Sequence, residues 1–113
     1  MKAGEVVRVA LPQSDGRHKP RPAVLIAAFP PFGDWLVVGI SGSVGLAVPD
    51  LDIVIDRGDP SFDMARLGFP GVIRLGHAHV VPVTWIEGRI GSIDPDTLRQ
   101  VRERLATWIV QHA

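Results

Sequence analysis

Four basic side chains occupy five consecutive positions of the chain: Arg17, His18, Lys19 and Arg21. Asp15-Gly16 comes just before them and a β-branched, apolar run at residues 22–26 follows, a pattern that predicts an open loop leading into a buried strand. A cationic loop anchored on a strand can bind an anion, and the planar fork of arginine suits phosphate. The same pattern also fits a solvated hairpin loop without a partner.

Strand pairing would bring hydroxyl groups to the basic segment. If the second and third strands form an antiparallel hairpin about Phe32, paired positions sum to about 64. Arg21 then lies near Ser43 and within a diagonal step of Ser41. A guanidinium beside two hydroxyls, with Gly42 allowing close approach of the backbone, would suit a phosphate. Alternatively, residues 41–45 are only a loop that ends the strand.

The elements that would position these residues are short and mostly β. Ten Pro and twelve Gly separate segments rich in Val, Ile and Leu. Strands are predicted at residues 5–11, 22–29, 35–40, 51–56, 71–75 and 79–84. Alternation in the fourth segment predicts that Asp52 and Asp56 face solvent. Many short strands at this spacing indicate a small barrel or sandwich.

One helix is predicted at the end of the chain. Asp94 is a natural N-cap, and Pro95 suits the first helical position. Apolar residues recur at three- and four-residue spacing on one face of this segment: Leu98, Val101, Leu105, Trp108 and Ile109. This stripe predicts that the helix packs on the β structure.

Length and composition exclude several classes of protein. The 113 residues fit one domain, and an apolar content of 46% argues against disorder. The formal net charge of zero means that any nucleic-acid site must be local, and the lack of Cys excludes a disulfide framework. His77 and His79 have the spacing of metal ligands, but no third ligand is evident, so we expect no metal and no cofactor. No segment has the length of a membrane span or the core of a signal peptide, which predicts a cytoplasmic protein.

Several segments together resemble the MazF/PemK family of toxin–antitoxin ribonucleases. They are the run at residues 4–7, the Asp15-Gly16 turn with the basic segment that ends at Arg21-Pro22, Ser41 after a strand, residues 72–74, and residues 89–98. No single motif among them is decisive, but their order along nearly the whole chain is specific. The resemblance implies a mainly β fold, a small SH3-like barrel with a C-terminal α-helix, as one domain over residues 1–113.

The resemblance also implies an activity and partners. It implies a homodimer that cleaves single-stranded RNA at short sequences without a metal, is held inactive by a cognate antitoxin, and meets operator DNA only through the antitoxin complex. In that family an Arg before Pro and a Thr at the end of the third strand carry catalysis, which implies catalytic roles for Arg21 and Ser41. The chain departs by having Ser where Thr is usual, and Ser43 where relatives often have Gln.

RNA cleavage by this route fits the residue types present. The 2′-hydroxyl of RNA is the nucleophile, so the protein needs only to orient it and to stabilise the phosphorane. Arg21 would bind the phosphate and Ser41 would donate a hydrogen bond to it. Arg17, Lys19 and Ser43 are the candidate RNA contacts, and His18 is a candidate general base or phosphate contact because imidazoles titrate near neutral pH. The family also makes the Arg the general acid, although a guanidinium is a poor proton donor.

Two other functions stay open at this stage. A related toxin group, resembling CcdB, shares the barrel and acts on DNA gyrase through its C-terminal helix, which here would use residues 108–113. The Arg21 segment would be idle in that function. The third hypothesis is an inactive barrel that only binds nucleic acid.

Overall fold

The structure is a computed structural model, and it describes residues 1–112. Six strands form one antiparallel sheet in the order β4-β5-β3-β2-β1-β6. The strands are β1 (Glu5–Pro12), β2 (His18–Phe29), β3 (Asp34–Ser41), β4 (Ile53–Ile55), β5 (Gly71–Val81) and β6 (Ile86–Ser92). Helix α1 (Pro60–Ala65) follows β4, helix α2 (Pro95–Gln111) follows β6, and 3₁₀ turns lie at Val44–Leu46 and Val83–Trp85.

Both faces of the central strands are buried. On one face Val24 and Val38 belong to a large apolar core that includes Val101 of α2. On the other face Leu25 and Val37 belong to a second, smaller core. Neighbouring residues of a strand point to opposite faces, so a strand that is buried on both sides is continuously apolar. This explains the unbroken apolar runs in β2 and β3.

Helix α2 begins as its sequence predicts. The Asp94 carboxylate accepts the backbone N–H of Thr97 at 3.1 Å, and Pro95 occupies the first turn. Leu98, Leu105 and Trp108 pack against the large core, whereas Ile109 is 58% exposed. The apolar stripe that contacts the core is therefore narrower than predicted, because Ile109 faces solvent while Trp108 beside it packs on the core.

Helix α1 connects the two edges of the sheet. It follows edge strand β4 and packs against β6, which is the opposite edge strand. The approach is closest at Gly91, where an added Cβ would lie only 2.3 Å from the carbonyl oxygen of Met64. Only glycine leaves room for this contact between the α1 backbone and β6.

The prediction of an open basic loop is wrong. The β1–β2 ladder continues through Pro12↔His18, so His18, Lys19 and Arg21 lie on β2, and the turn is limited to residues 13–17. Within residues 1–112, this part of β2 pairs with β1 alone, because pairing with β3 reaches only as far as Ala23. A strand that is paired on one side can contain the prolines that flank Arg21.

Other elements also differ from their predictions. The segments at residues 71–75 and 79–84 are one strand, β5, which continues through Gly76 and ends before Pro82. Strand β6 and helix α1 were not predicted, because β6 has few β-branched residues and α1 has only six residues, too few to show a helical period.

The prediction that Asp52 faces solvent is wrong. Its side chain is 1% exposed, and its carboxylate accepts the backbone N–H groups of Val48 at 2.8 Å and Leu75 at 3.0 Å. The regular part of β4 is only Ile53–Ile55, so alternation does not extend to position 52. Asp52 is instead a buried acceptor that joins the loop before β4 to β5.

Candidate functional site

A cleft of about 210 Å³ lies at the end of the sheet where β3 ends. It is on the face of the sheet that carries the smaller core, since Leu11 belongs to both. The cleft is lined by Leu11, Pro12, Gln13, Arg21, Gly39, Ile40, Ser41, Ser43, Arg74, His77 and His79. Residues of β1, β2, β3 and β5 thus meet at one place, and most of their polar side chains are basic or hydroxylic.

Arg21 and Ser41 line the cleft together, each just beyond the last pair of the β2–β3 ladder. The pairs Ala23↔Gly39, Val24↔Val38 and Leu25↔Val37 sum to 62, not 64. Continuing this register by two residues places Arg21 opposite Ser41, and Ser43 lies beyond the paired strands. Two differences produce this register. The turn is centred slightly before Phe32, and the pairing of β2 with β3 shifts between Leu25 and Ala27. The predicted convergence of the arginine with both serines in one cleft is confirmed.

Two local hydrogen bonds orient these side chains. The Arg21 guanidinium donates from Nη2 to Oε1 of Gln13 at 3.3 Å. The backbone N–H of Ser43 donates to Oγ of Ser41 at 3.0 Å. Because Oγ of Ser41 accepts this bond, its own O–H remains available to donate to an anion in the cleft.

The other basic residues of the predicted loop are spread over different surfaces. Lys19 pairs with Leu11 and points to the same face of β2 as Arg21, so it lies beside the cleft. Arg17 lies in the turn, where its backbone N–H bonds to Asp15. His18 lies three positions from Arg21, and its ring contacts the ring of Trp85 with 5.1 Å between centroids. The structure thus does not bring His18 together with Arg21 and Ser41.

A second guanidinium in the cleft belongs to Arg74 of β5. Its Nε lies 3.6 Å from Oδ2 of Asp52, and its side chain is one quarter exposed. The Asp52 carboxylate is itself held by the two backbone N–H groups described above. The ion pair therefore holds the Arg74 guanidinium in a fixed position. Two guanidiniums facing one cleft favour a phosphate or phosphodiester over a cation.

Two histidines complete the polar lining. Burial lowers the pKa of His77, and the nearby positive charge of Arg74 lowers it further. The imidazole of His77 is therefore neutral at pH 7. Over residues 1–112, no group of three or more His, Cys, Asp or Glu side chains is arranged to hold a metal ion.

Gln13, Arg74 and His77 belong to the site but were not predicted to do so. Arg74 stood in one of the segments that carried the family resemblance, but nothing in its spacing indicated a cleft. His77 and His79 have metal-ligand spacing in the sequence, but two other residues that line their cleft, Arg21 and Arg74, are cations. Gln13 could have been found from the hairpin register alone, because it begins the turn that follows β1.

Comparisons with known proteins place the fold. Among solved structures, the Mycobacterium tuberculosis toxin MazF-mt6 superposes with a TM-score of 0.65 at 17% sequence identity, over 91% of this chain and 96% of that chain. This likeness confirms the predicted mainly β fold with a C-terminal helix. None of the curated proteins compared with the chain matches it in sequence. Within residues 1–112, no helix is long and apolar enough to cross a membrane.

The family is given by the sequence as a whole. The family of PemK-like, MazF-like toxins of type II toxin–antitoxin systems matches residues 2–109. The match includes every strand of the sheet and nearly all of α2. It also contains all of the residues that line the cleft. The chain therefore belongs to the PemK-like, MazF-like family of type II toxins.

Proposed function

We propose that the protein is an endoribonuclease that cleaves single-stranded RNA in the cleft between Arg21 and Arg74. The observation that carries the proposal is the convergence of Arg21 and Ser41, from two neighbouring strands, with a second arginine. These groups fit a phosphodiester, because guanidiniums and a free hydroxyl donor can bind its non-bridging oxygens together. Membership of the toxin family supports RNA as the source of that phosphodiester.

The catalytic task assigned to these residues is electrostatic. When the 2′-hydroxyl attacks phosphorus, negative charge builds up on the non-bridging oxygens, and fixed donors that are aimed at this charge lower the barrier. Arg21 and Arg74 supply two cations, and Ser41 supplies a neutral O–H donor. The bond between phosphorus and the 5′-oxygen then breaks, leaving a 2′,3′-cyclic phosphate and a free 5′-hydroxyl. No protein nucleophile takes part.

RNA outside the reacting phosphate would follow the basic side of β2. Lys19 lies on the cleft face and Arg17 at the turn, so both can attract neighbouring phosphates. Their contacts would be exposed and therefore sensitive to salt. Ser43 lies at the rim of the cleft beside Ser41, where its hydroxyl can contact a flanking nucleotide.

The proposal includes the partners that a type II toxin requires. A cognate antitoxin would keep the protein inactive, and a partly acidic segment of it would compete with RNA for Arg17, Lys19 and Arg21. Operator DNA would be met only through the complex with the antitoxin. A cytoplasmic location is part of the same proposal, because mRNA and the antitoxin are present there.

We also propose a homodimer. Large apolar side chains are exposed on the single chain, among them Phe32 at 84%, Val80 at 57% and Phe29 at 45%. A domain of this size gains stability when a second copy buries such surface. Sedimentation at micromolar concentration is expected to show a dimer, and a monomer at that concentration contradicts this part of the proposal.

The experiment that tests the proposed function compares three proteins at position 41. Wild type, Ser41→Ala and Ser41→Thr are each incubated with a long single-stranded RNA and expressed in growing cells. We expect Ser41→Ala to lose most cleavage and growth arrest, whereas Ser41→Thr, which keeps the hydroxyl, retains both. Equal activity of all three proteins would remove Ser41 from the catalytic site.

A further inference from the structure

His77 occupies a position in the cleft that the pairing of β3 with β5 creates. Ile40 pairs with Ile73 and Val38 pairs with Ala78, so a single residue of β3, Gly39, faces four residues of β5. The extra residues make β5 bulge there. The bulge brings His77 directly over Gly39, where a Cβ added to the glycine would lie 3.5 Å from Cβ of His77.

Gly39 places His77 next to the Arg21–Ser41 pair. Gly39 pairs with Ala23, and the next residues on the same face of the two strands are Ser41 and Arg21. His77 is therefore one step along the sheet from the proposed phosphate position. His79 pairs with Val37, which is one step further away.

The charged groups around His77 favour its neutral form. Partial burial lowers the pKa of His77, and the positive charges of Arg74, His79 and Arg21 lower it further. The negative charge of Asp52 acts in the opposite direction and raises this pKa. A neutral imidazole has one nitrogen with a free lone pair, so it can accept a proton at pH 7. The surrounding guanidiniums would bind the phosphate without competing for that proton.

We propose that His77 is the general base of the reaction, accepting the proton of the RNA 2′-hydroxyl. This inference rests on the proposed ribonuclease function. The 2′ O–H bond breaks as its proton moves to the imidazole, and the 2′-oxygen forms a bond to phosphorus. The bond from phosphorus to the 5′-oxygen breaks with its electron pair, and that oxygen takes a proton from water in the open cleft. His77 then returns its proton to water.

The geometry distinguishes His77 from the histidine that the sequence favoured. His18 packs on Trp85 and does not line the cleft. The His77 side chain lines the cleft, is partly exposed and makes no side-chain hydrogen bond within residues 1–112. Its replacement by Gln therefore breaks no hydrogen bond of that part of the chain. His18→Gln and His77→Gln form a matched pair of variants.

The test measures single-turnover cleavage of a long mixed-sequence RNA between about pH 5 and 9. His77→Gln is expected to lower the rate about 10²–10⁴-fold and to remove the fall in rate at acid pH. Added imidazole should partly restore cleavage by His77→Ala, which a purely structural role would not allow. His18→Gln should keep the wild-type pH profile. Binding of the same RNA made with 2′-O-methyl ribose, which cannot be cleaved, should change less than about threefold in the His77 variants, since imidazole is neutral at pH 7.

The outcomes separate this inference from the function on which it rests. If wild type leaves 2′,3′-cyclic phosphates and His77→Gln keeps its rate and acid limb, the general base is another group and only the inference fails. If wild type does not cleave RNA, the ribonuclease proposal fails, and the role of His77 fails with it. Loss of 2′-O-methyl RNA binding in His77→Gln would make His77 a binding residue and would also overturn the inference.

Discussion

The Arg74 guanidinium lies 3.6 Å from the carboxylate of Asp52, a side chain that is 1% exposed. The same carboxylate accepts backbone N–H groups from two segments, the loop before β4 and strand β5. In addition, Arg104 of α2 donates to the backbone carbonyl of Asp52 at 2.8 Å. Asp52 thus connects the floor of the cleft to the helix on the far side of the sheet.

Replacement of Asp52 by Ala should destabilise the fold. The buried N–H group of Leu75 would lose its acceptor, as would the N–H group of the exposed Val48, and an unsatisfied buried donor costs about 1–3 kcal/mol. We expect the free energy of unfolding, measured by urea denaturation, to fall by about 1–3 kcal/mol, the cost of one such buried donor. The control is Asp50→Asn, at an exposed position with a φ of 66° that asparagine also tolerates, where the change should stay within about 0.5 kcal/mol. Equal stability of the two variants would contradict this account of Asp52.

Replacement of Arg21 by Ala should abolish RNA cleavage and growth arrest while the fold persists. The side chain is exposed, and its hydrogen bond to Gln13 is long at 3.3 Å, so little stability depends on it. The rate should fall at least about 10²–10³-fold, the loss typical of one removed transition-state donor, which leaves no products detectable in the time that wild type needs for complete cleavage. Arg21→Lys should restore activity only in part, because lysine cannot bind two phosphate oxygens with a planar fork. Arg17→Ala, out at the turn, should be mild.

Variants at the end of α2, compared with Arg21→Ala, test the alternative that the protein acts on DNA gyrase. Ile109 and Val110 are 58% and 79% exposed at the end of α2, so both can be changed to Ser with little effect on the core. Ala113, the last residue of the segment on which that alternative relied, lies outside the described residues. Growth arrest that survives Arg21→Ala but is lost in the Ile109→Ser, Val110→Ser double variant would favour a gyrase-type target. We expect instead that growth arrest is lost in Arg21→Ala and persists in the double variant.

Strand β6 offers a matched pair of glycines for testing the contact between α1 and β6. An added Cβ at Gly91 would lie 2.3 Å from one carbonyl oxygen of α1 and 2.6 Å from the next. An added Cβ at Gly88 would meet no atom within 4 Å among the described residues other than its chain neighbours. Gly91→Ala should lower the free energy of unfolding by about 1–3 kcal/mol or more, as overpacking does, whereas Gly88→Ala should be nearly neutral. Equal thermal melting of the two variants would show that α1 does not pack on β6 in this way.

The cap of α2 should contribute to the pH dependence of stability. Burial raises the pKa of Asp94, but hydrogen bonds from Ser61 and Thr97 outweigh it, so the pKa is lower in the folded protein than in the unfolded chain. The stabilisation is therefore present above about pH 4 and is lost as the pH falls through the lower, folded-state pKa. We expect the melting temperature of Asp94→Asn to fall less than that of wild type between pH 5 and pH 2. Melting is followed by circular dichroism at several pH values in this range. Parallel curves for the two proteins would contradict this assignment.

The fold could be predicted where local chemistry decides it. The N-cap at Asp94, the first three strands and the mainly β architecture follow from capping chemistry and from runs of β-branched residues. Strand β6 and the continuity of β5 through Gly76 could not be predicted, because tertiary pairing with β1 and β3 stabilises them against weak local preference.

The residues of the candidate site could likewise be predicted only in part. Arg21 and Ser41 could be brought together from the hairpin pattern even though the register was off by two, because a diagonal neighbour still lies in reach. Arg74 and His77 enter the cleft through the bulge opposite Gly39, and no sequence pattern marks that bulge. Asp52 was misassigned because alternation cannot distinguish a buried acceptor from a solvated carboxylate.

The ends left on a long RNA by the purified protein in EDTA test the central claim most directly. The account predicts cleavage with the metal chelated, products ending in 2′,3′-cyclic phosphate with free 5′-hydroxyls, and no products from Arg21→Ala. The chemistry requires this outcome because the 2′-hydroxyl is the nucleophile and the cleft supplies cations from its own arginines. Cleavage that needs magnesium, or that leaves 5′-phosphates, would contradict it.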